Sequence, residues 1–255
     1  MNSHELLELC LSVSGSFENG DPAYDAITGN SDGMGISVGV LQWNAGAGSL
    51  AVLLSKIIQY SSSETVNAFF TNGEDVASMA RMSPTQALQY TREHFLQGEA
   101  LTPVAVQEWQ GLISSEPGIK AQVDLATNGI LAHAIHLAQQ YTPTVNSRDI
   151  CFFFDILTQS GGMGNSRGSV QPCNLAQANY LTAIQVAQSK SPKTAQYWTT
   201  VCQNDSQARL LLHYAYHRAL LSRPDYQWDG LSRRGAIACR GGVVHGCWFD
   251  FSTLP

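Results

Sequence analysis

Charge is what this sequence has least of. Asp, Glu, Lys and Arg make up 13% of its 255 residues, about half the ~25% usual for soluble proteins. Basic residues are the scarcer kind: Lys+Arg is 14 against Asp+Glu 20, a formal net charge of −6. No basic stripe exists to meet a phosphate backbone, which argues against a nucleic-acid partner. No window approaches the ~18 consecutive apolar residues of a membrane span, so no spanning helix is expected. The first residues carry Glu5 and Glu8 and no basic stretch, so no cleaved secretory signal is expected there. No CxxC pair occurs among the six cysteines, which removes the usual zinc-ribbon reading. Buried thiols and one or two disulfides both remain open, Cys239–Cys247 closing the shortest loop. Repeats and low-complexity segments are also missing. The hydrophobic fraction, 44%, is that of a packed globular chain and excludes disorder of the high-charge kind.

Helical periodicity dominates what is present. A first helix is expected from about Glu5 to Phe17, and another from Ser49, with Leu50, Leu53, Leu54, Ile57 and Ile58 on one face. Ser83-Pro84-Thr85-Gln86 has the form of a capping box with proline at the first helical position, and Thr102-Pro103 starts a helix the same way. A long helix is expected from about Ile119 to Tyr141, through Gly129. Arg148 to Gln159 is apolar nearly all round and reads as a central buried helix. Leu175 to Gln188 and Ser206 to Leu221 read as amphipathic. Two stretches read as non-helical. One is Asn19 to Asn44, ending in a β-ribbon from about Ile36 to Trp43 after turn glycines Gly33 and Gly35. The other is Gly230 to Pro255, rich in glycine and aromatics. The expectation is a mainly α (α+β) single domain over residues 1–255.

Glu18 stands where the first helix stops. A helix C-terminus disfavours a carboxylate, and desolvation by Phe17 works in the same direction. Both effects would hold Glu18 protonated, the state needed to protonate a glycosidic oxygen. Asp21, Asp25 and Asp32 follow in a polar, glycine-rich loop, where an aspartate stays ionised. One raised and one ordinary carboxylate across a cleft is the glycosidase arrangement.

Glu18-Asn19 and the run Asp32-Gly33-Met34-Gly35-Ile36-Ser37-Val38-Gly39-Val40-Leu41 resemble the catalytic stretch of glycoside hydrolase family 46 chitosanases. Ser37-x-Gly39-x-x-Gln42, followed by Trp43-Asn44, is similar to a pattern of the wider lysozyme-like superfamily, which includes muramidases and lytic transglycosylases. The resemblance covers about 30 residues, and Asp155 before Gly161-Gly162 is similar in style to the central helix. It implies a lysozyme-like fold with two helical lobes around a cleft. It implies Glu18 as general acid, Asp32 as general base and Ser37 as the hydroxyl that positions the attacking water. Asp25 or Asp21 can serve as base instead. Tyr24, Gly39, Gln42, Trp43 and Asn44 would contact the sugar chain. No cofactor and no metal is implied. The Thr28-x-Asn30-x-Asp32 run has the opening of a calcium loop but Gly39 at its closing position. The pairs His133/His136 and His213/His217 lack a third ligand.

Chitosan is cationic and asks for many carboxylates, which are scarce here. Peptidoglycan asks for amide, hydroxyl and aromatic contacts. The favoured expectation is therefore a muramidase cutting β-1,4 bonds of cell-wall glycan, with chitosan or chitin as the second substrate class. A non-catalytic glycan-binding module is the rival class. Similar domains occur in antibacterial effector toxins and phage endolysins. That implies a monomer delivered to the periplasm or cell wall without a cleaved signal, and for a toxin an immunity protein. A Cys-His peptidase built on Cys239, His245 and Cys247 is a weaker alternative. Arg233, Arg234 and Arg240 read as a small basic surface patch.

Overall fold

The computed structural model describes residues 1–17, 24–31 and 33–254. In chain order come α1 (Ser3–Ser16), β1 (Ile27–Thr28), β2 (Ser37–Val38), β3 (Trp43–Asn44), α2 (Ser49–Tyr60), α3 (Ser63–Asn67), a 3-10 turn (Val76–Arg81) and α4 (Pro84–His94). After the ribbon β4 (Leu96–Gln97) and β5 (Ala100–Leu101) follow α5 (Pro103–Ser114), α6 (Glu116–Leu125), a π-helical stretch (Ala126–Leu131), α7 (Ala132–Tyr141) and α8 (Ser147–Ser160). The ribbon β6 (Gly164–Asn165) and β7 (Gly168–Ser169) precedes α9 (Leu181–Lys190), α10 (Pro192–Asn204), α11 (Ser206–Leu220) and α12 (Pro224–Ala238). The hairpin β8 (Gly241–Val244) and β9 (Cys247–Asp250) follows them.

The chain divides into two compact units: residues 1–21 with 130–255, and residues 22–129. The second unit is built around α2, whose Leu50, Leu53, Leu54 and Ile57 are buried with Trp109, Leu112 and Phe95. Its three-stranded antiparallel sheet has the order β1-β2-β3, with Thr28 opposite Ser37 and Ser37 opposite Asn44. The ribbon expected over Ile36 to Trp43 is thus a tight hairpin joined by a third strand. Helix starts follow their caps. Ser83 and Gln86 form the reciprocal capping box, and Thr102 caps α5 with Pro103 behind it. Gly48, not Ser49, is the N-cap of α2.

The first unit is organised by α8. Its Ile150, Phe152, Phe153, Phe154 and Ile156 are buried, and it packs against α1, α7 and α12. The helix expected over Ile119 to Tyr141 runs through Gly129, with a π-helical stretch at Ala126–Leu131, a one-turn widening that keeps the chain helical. One expectation fails here. The segment from Gly230 is helical to Ala238, not irregular. Its glycines provide clearance where flexibility was expected. A Cβ on Gly235 would lie 2.2 Å from the Trp198 ring, so glycine is what lets α12 and α10 approach.

All six cysteines are free thiols, including Cys239 and Cys247. Cys10 and Cys151 Sγ stand 3.6 Å apart in the core. Hydrogen bonding to Cys151, then burial, pushes the Cys10 thiol up. Burial pushes Cys239 up as well, aided by Cys202. A nucleophilic thiol needs a depressed value and access to its substrate, and Cys239, fully buried, has neither.

Candidate active site

Glu18, Asp21 and Asp32 lie outside the described residues. The segments that lead into them are described, one in each unit.

In the first unit, α1 ends on Phe17, which packs against Phe249 and Phe251 at ring-centroid distances of 5.0 and 5.5 Å. The Arg233 guanidinium lies 4.8 Å over the Phe17 ring. Its Nη2 donates to Asp155 Oδ1 at 2.9 Å and to the Ser14 carbonyl at 3.5 Å. A helix end leaves carbonyls without partners and carries partial negative charge. Arg233 answers both. Arg234 stands on the other side of Asp155, with Nε 3.6 Å from Oδ2, and donates from Nη2 to Ser160 Oγ at 2.6 Å. Burial above all pushes the Arg234 guanidinium down to about 10. Asp155 opposes that shift, and the charges of Arg218 and Arg233 add to it.

This cluster corrects two expectations. Arg233 and Arg234 are 3% and 2% exposed, so they are no surface patch. They are core cations fixed by a fully buried carboxylate. The helix-dipole argument for the end of α1 is also incomplete, since a guanidinium now sits at that end. The signal in the sequence was an Arg-Arg pair flanked by small residues, Ser232 and Gly235, in a chain that uses charge sparingly.

In the second unit, the sheet brings several predicted residues together. Ser37 is buried, and its Oγ accepts from Asn44 Nδ2 at 2.7 Å. The Asn44 backbone N–H also donates to Ser49 Oγ at 2.7 Å. Gln42 sits in the left-handed region with φ 53°. Its Nε2 donates to the Gly39 carbonyl and its Oε1 accepts from Thr28 Oγ1, both at 3.0 Å. Trp43 is 8% exposed and packs in the core of this unit. Asp25 is exposed, and its carbonyl accepts from Gln110.

Sequence reasoning missed Gln122, which is fully buried and ties this corner together. Its Oε1 accepts from Val40 N–H at 3.0 Å. Its Nε2 donates to the carbonyls of Tyr24 and Ile113 at 3.1 and 2.9 Å. A Cβ on Gly39 would meet Gln122 Oε1 at 2.3 Å, and Gly39 has φ 75°. Backbone conformation and close packing therefore both demand glycine there. Asn30 ties down the neighbouring turn: its Oδ1 accepts from Gly35 N–H at 2.6 Å, and its carbonyl from Gly33 N–H at 3.0 Å. Nothing but its place on the helix pattern marks Gln122 in the sequence.

No family model matches the chain, and no curated protein does. Among solved structures it is similar to a mutant chitosanase from Bacillus subtilis MY002 complexed with 6 GlcN. The TM-score is 0.53 and the identity 11%, over 98% of each chain. That likeness concerns the fold. The chain has the mainly α, lysozyme-like fold of that chitosanase, as the helical pattern and motif implied.

Proposed function

We propose that the protein is a glycoside hydrolase that cuts β-1,4 bonds of a polysaccharide, peptidoglycan first among the candidates. The observation that carries this reading is the end of α1. Within a fold shared end to end with a glycan hydrolase, the residue after Phe17 is Glu18. The last turn of that helix is held by the buried Arg233–Asp155 pair. A buried ion pair stabilises little by itself, and its best-attested use is to fix a unique arrangement. Holding the segment before a catalytic acid is such a use.

In this reading Glu18 gives its proton to the leaving glycosidic oxygen as the C–O bond breaks. Asp32, or Asp25 in its place, takes a proton from the water that attacks the opposite face. The product anomer is inverted, and the two carboxyl groups stand roughly 6.5–9.5 Å apart. Ser37 lies on the strand after Asp32 and would orient that water. If no aspartate serves, Glu18 protonates the leaving oxygen as the C–O bond breaks and then takes the proton of the muramyl 6-hydroxyl, which bonds to the anomeric carbon to give an anhydro product.

Peptidoglycan is preferred because carboxylates are few and Asp149 and Asp155 are withdrawn into the core. Chitosan is the second reading, favoured by the glucosamine oligomer held by the similar chitosanase. Delivery to a bacterial cell wall, and an immunity protein over the site, belong to the same proposal. Mass spectrometry of peptidoglycan and chitosan digests tests it. Glycan fragments from peptidoglycan are expected. Glu18→Gln should abolish them while leaving the circular dichroism unchanged, and retained cleavage would sink the assignment. Asp32→Asn and Asp25→Asn, assayed separately, identify the base.

A further inference from the structure

The first unit holds a cavity of about 370 Å³ whose lining includes Arg167, Arg218 and Arg223. Three of the chain's 14 basic residues thus line one pocket, and among the described residues no carboxylate lines it. Among the described residues none of the three forms an ion pair.

Arg218 is 2% exposed. Its Nε donates to the Gly162 carbonyl at 2.6 Å and its Nη2 to the Ser160 carbonyl at 2.8 Å. Its Nη1 is buried with no hydrogen-bond partner. A buried guanidinium satisfied only by neutral carbonyls, with one nitrogen idle, is costly unless an anion comes near. Arg167 and Arg223 are exposed. Arg167 is held in place by Nη1 donating to the Ser222 carbonyl at 2.8 Å. Arg223 is the N-cap of α12, with no side-chain cap on that helix end, which adds partial positive charge. Asp225 and Asp229, on the helix that Arg223 caps, are not in its lining.

The cavity is also too large for a bare carboxylate. Asn165, Ser160 and Tyr226 complete much of its wall, an amide, a hydroxyl and an aromatic face of the kind that suits a sugar ring. A larger cavity of about 650 Å³, lined by Tyr141, Pro143 and Pro172 among others, contains no charged residue.

We infer that the arginine pocket binds a saccharide bearing a free carboxylate, such as the lactyl-substituted amino sugar of cell-wall glycan from which the peptide stem has been removed. This rests on the reading of the protein as a glycan hydrolase and adds that its substrate is anionic. The guanidinium fork matches a carboxylate in two hydrogen bonds. A cationic polymer would be repelled from the same place.

The test is calorimetric titration of the whole chain with N-acetylmuramic acid, N-acetylglucosamine and acetate, at low and moderate salt. N-acetylmuramic acid should bind at least about tenfold more tightly than either of the others, a gap of ~1.4 kcal/mol, and added salt should weaken it. Arg167→Ala and Arg223→Ala sit at exposed positions, so both variants fold. Each should weaken muramic acid binding several-fold and leave N-acetylglucosamine unaffected. Equal affinity for the acidic and neutral sugars would overturn the inference, as would unchanged binding in both variants. Acetate binding as tightly as the sugar acid would mean an anion site with no saccharide role, and would also overturn it. The two readings fail separately. Glu18→Gln should retain muramic acid binding. Selective binding without glycan cleavage by the native chain defeats the hydrolase reading alone. Cleavage with no selectivity defeats the pocket alone.

Discussion

The two units solve the same packing problem with different chemistry. The first places ions in its core: Asp155 between Arg233 and Arg234, Arg148 on Asp205, and Arg218 on two carbonyls. The second uses a neutral amide. Gln122 satisfies an N–H and two carbonyls around the sheet, and Asn30 and Asn44 secure the neighbouring turns. An amide both donates and accepts, so it can stitch loops without demanding a partner of opposite charge. An ion pair defines fewer arrangements but fails badly when one member is lost. The scarcity of charge in this chain is therefore sharper than its composition suggests. Of the buried charged residues described, Arg148, Asp149, Asp155, Arg218, Arg233 and Arg234 lie in the first unit, and only Glu74 and Glu108 in the second.

The strongest way to break this contrast is Asp155→Asn. The shape is kept, but two buried guanidinium groups lose their carboxylate. A loss of about 3–5 kcal/mol is expected in urea unfolding, and a loss under 1 kcal/mol would mean that the cluster is not the centre of the first unit. Gln122→Leu is the counterpart in the second unit. It removes no charge but leaves the Val40 N–H and the Tyr24 and Ile113 carbonyls without their partner. About 2–3 kcal/mol is expected, since an unsatisfied buried group costs ~1–3 kcal/mol and strand-edge groups recover part of that from water. Added salt should leave the Gln122→Leu effect unchanged. A strong salt dependence would show that charge matters in this corner after all.

Local signals in the sequence account for much of the fold. Caps such as Ser83 with Gln86 and Thr102 before Pro103 mark helix starts because the orphan N–H groups must be met within three residues. The apolar run of α8 shows its burial directly. What escaped was set by distant contacts. Gly230 and Gly235 look like helix breakers until the Trp198 ring is placed against Gly235. Arg233 and Arg234 look like surface residues until Asp155, 78 positions away from Arg233, is placed between them. Ser37, Gly39, Gln42 and Asn44 come together in space as their spacing suggested, because they fall within a single hairpin. Gln122 was not, because it enters from another helix.

The smallest effect should come from protons. The His213 and His217 rings lie 4.3 Å apart on α11, tilted by 55°. Burial lowers both, and the charge of His217 lowers His213 further, against a weaker opposing bond from Asn179. Their folded values lie below the unfolded value near 6.5, so the unfolded chain binds more protons in the window just under that pH. Stability from this pair is complete above pH 6.5 and is lost as the pH falls through the window. Asp205 has the same sign lower down. Burial raises it, but the Arg148 and Ala208 hydrogen bonds and the charges of Arg148 and Arg240 more than offset that, so it is held below its ordinary value of 3.8. Its contribution is present above that value and fades as the pH falls further. Both histidines are half open to solvent, which screens the effect. The melting midpoint should drop by about 1–2 °C between pH 7 and pH 5.5. His213→Gln with His217→Gln should flatten that slope. A slope unchanged in the double variant would place the acid sensitivity in groups other than this pair.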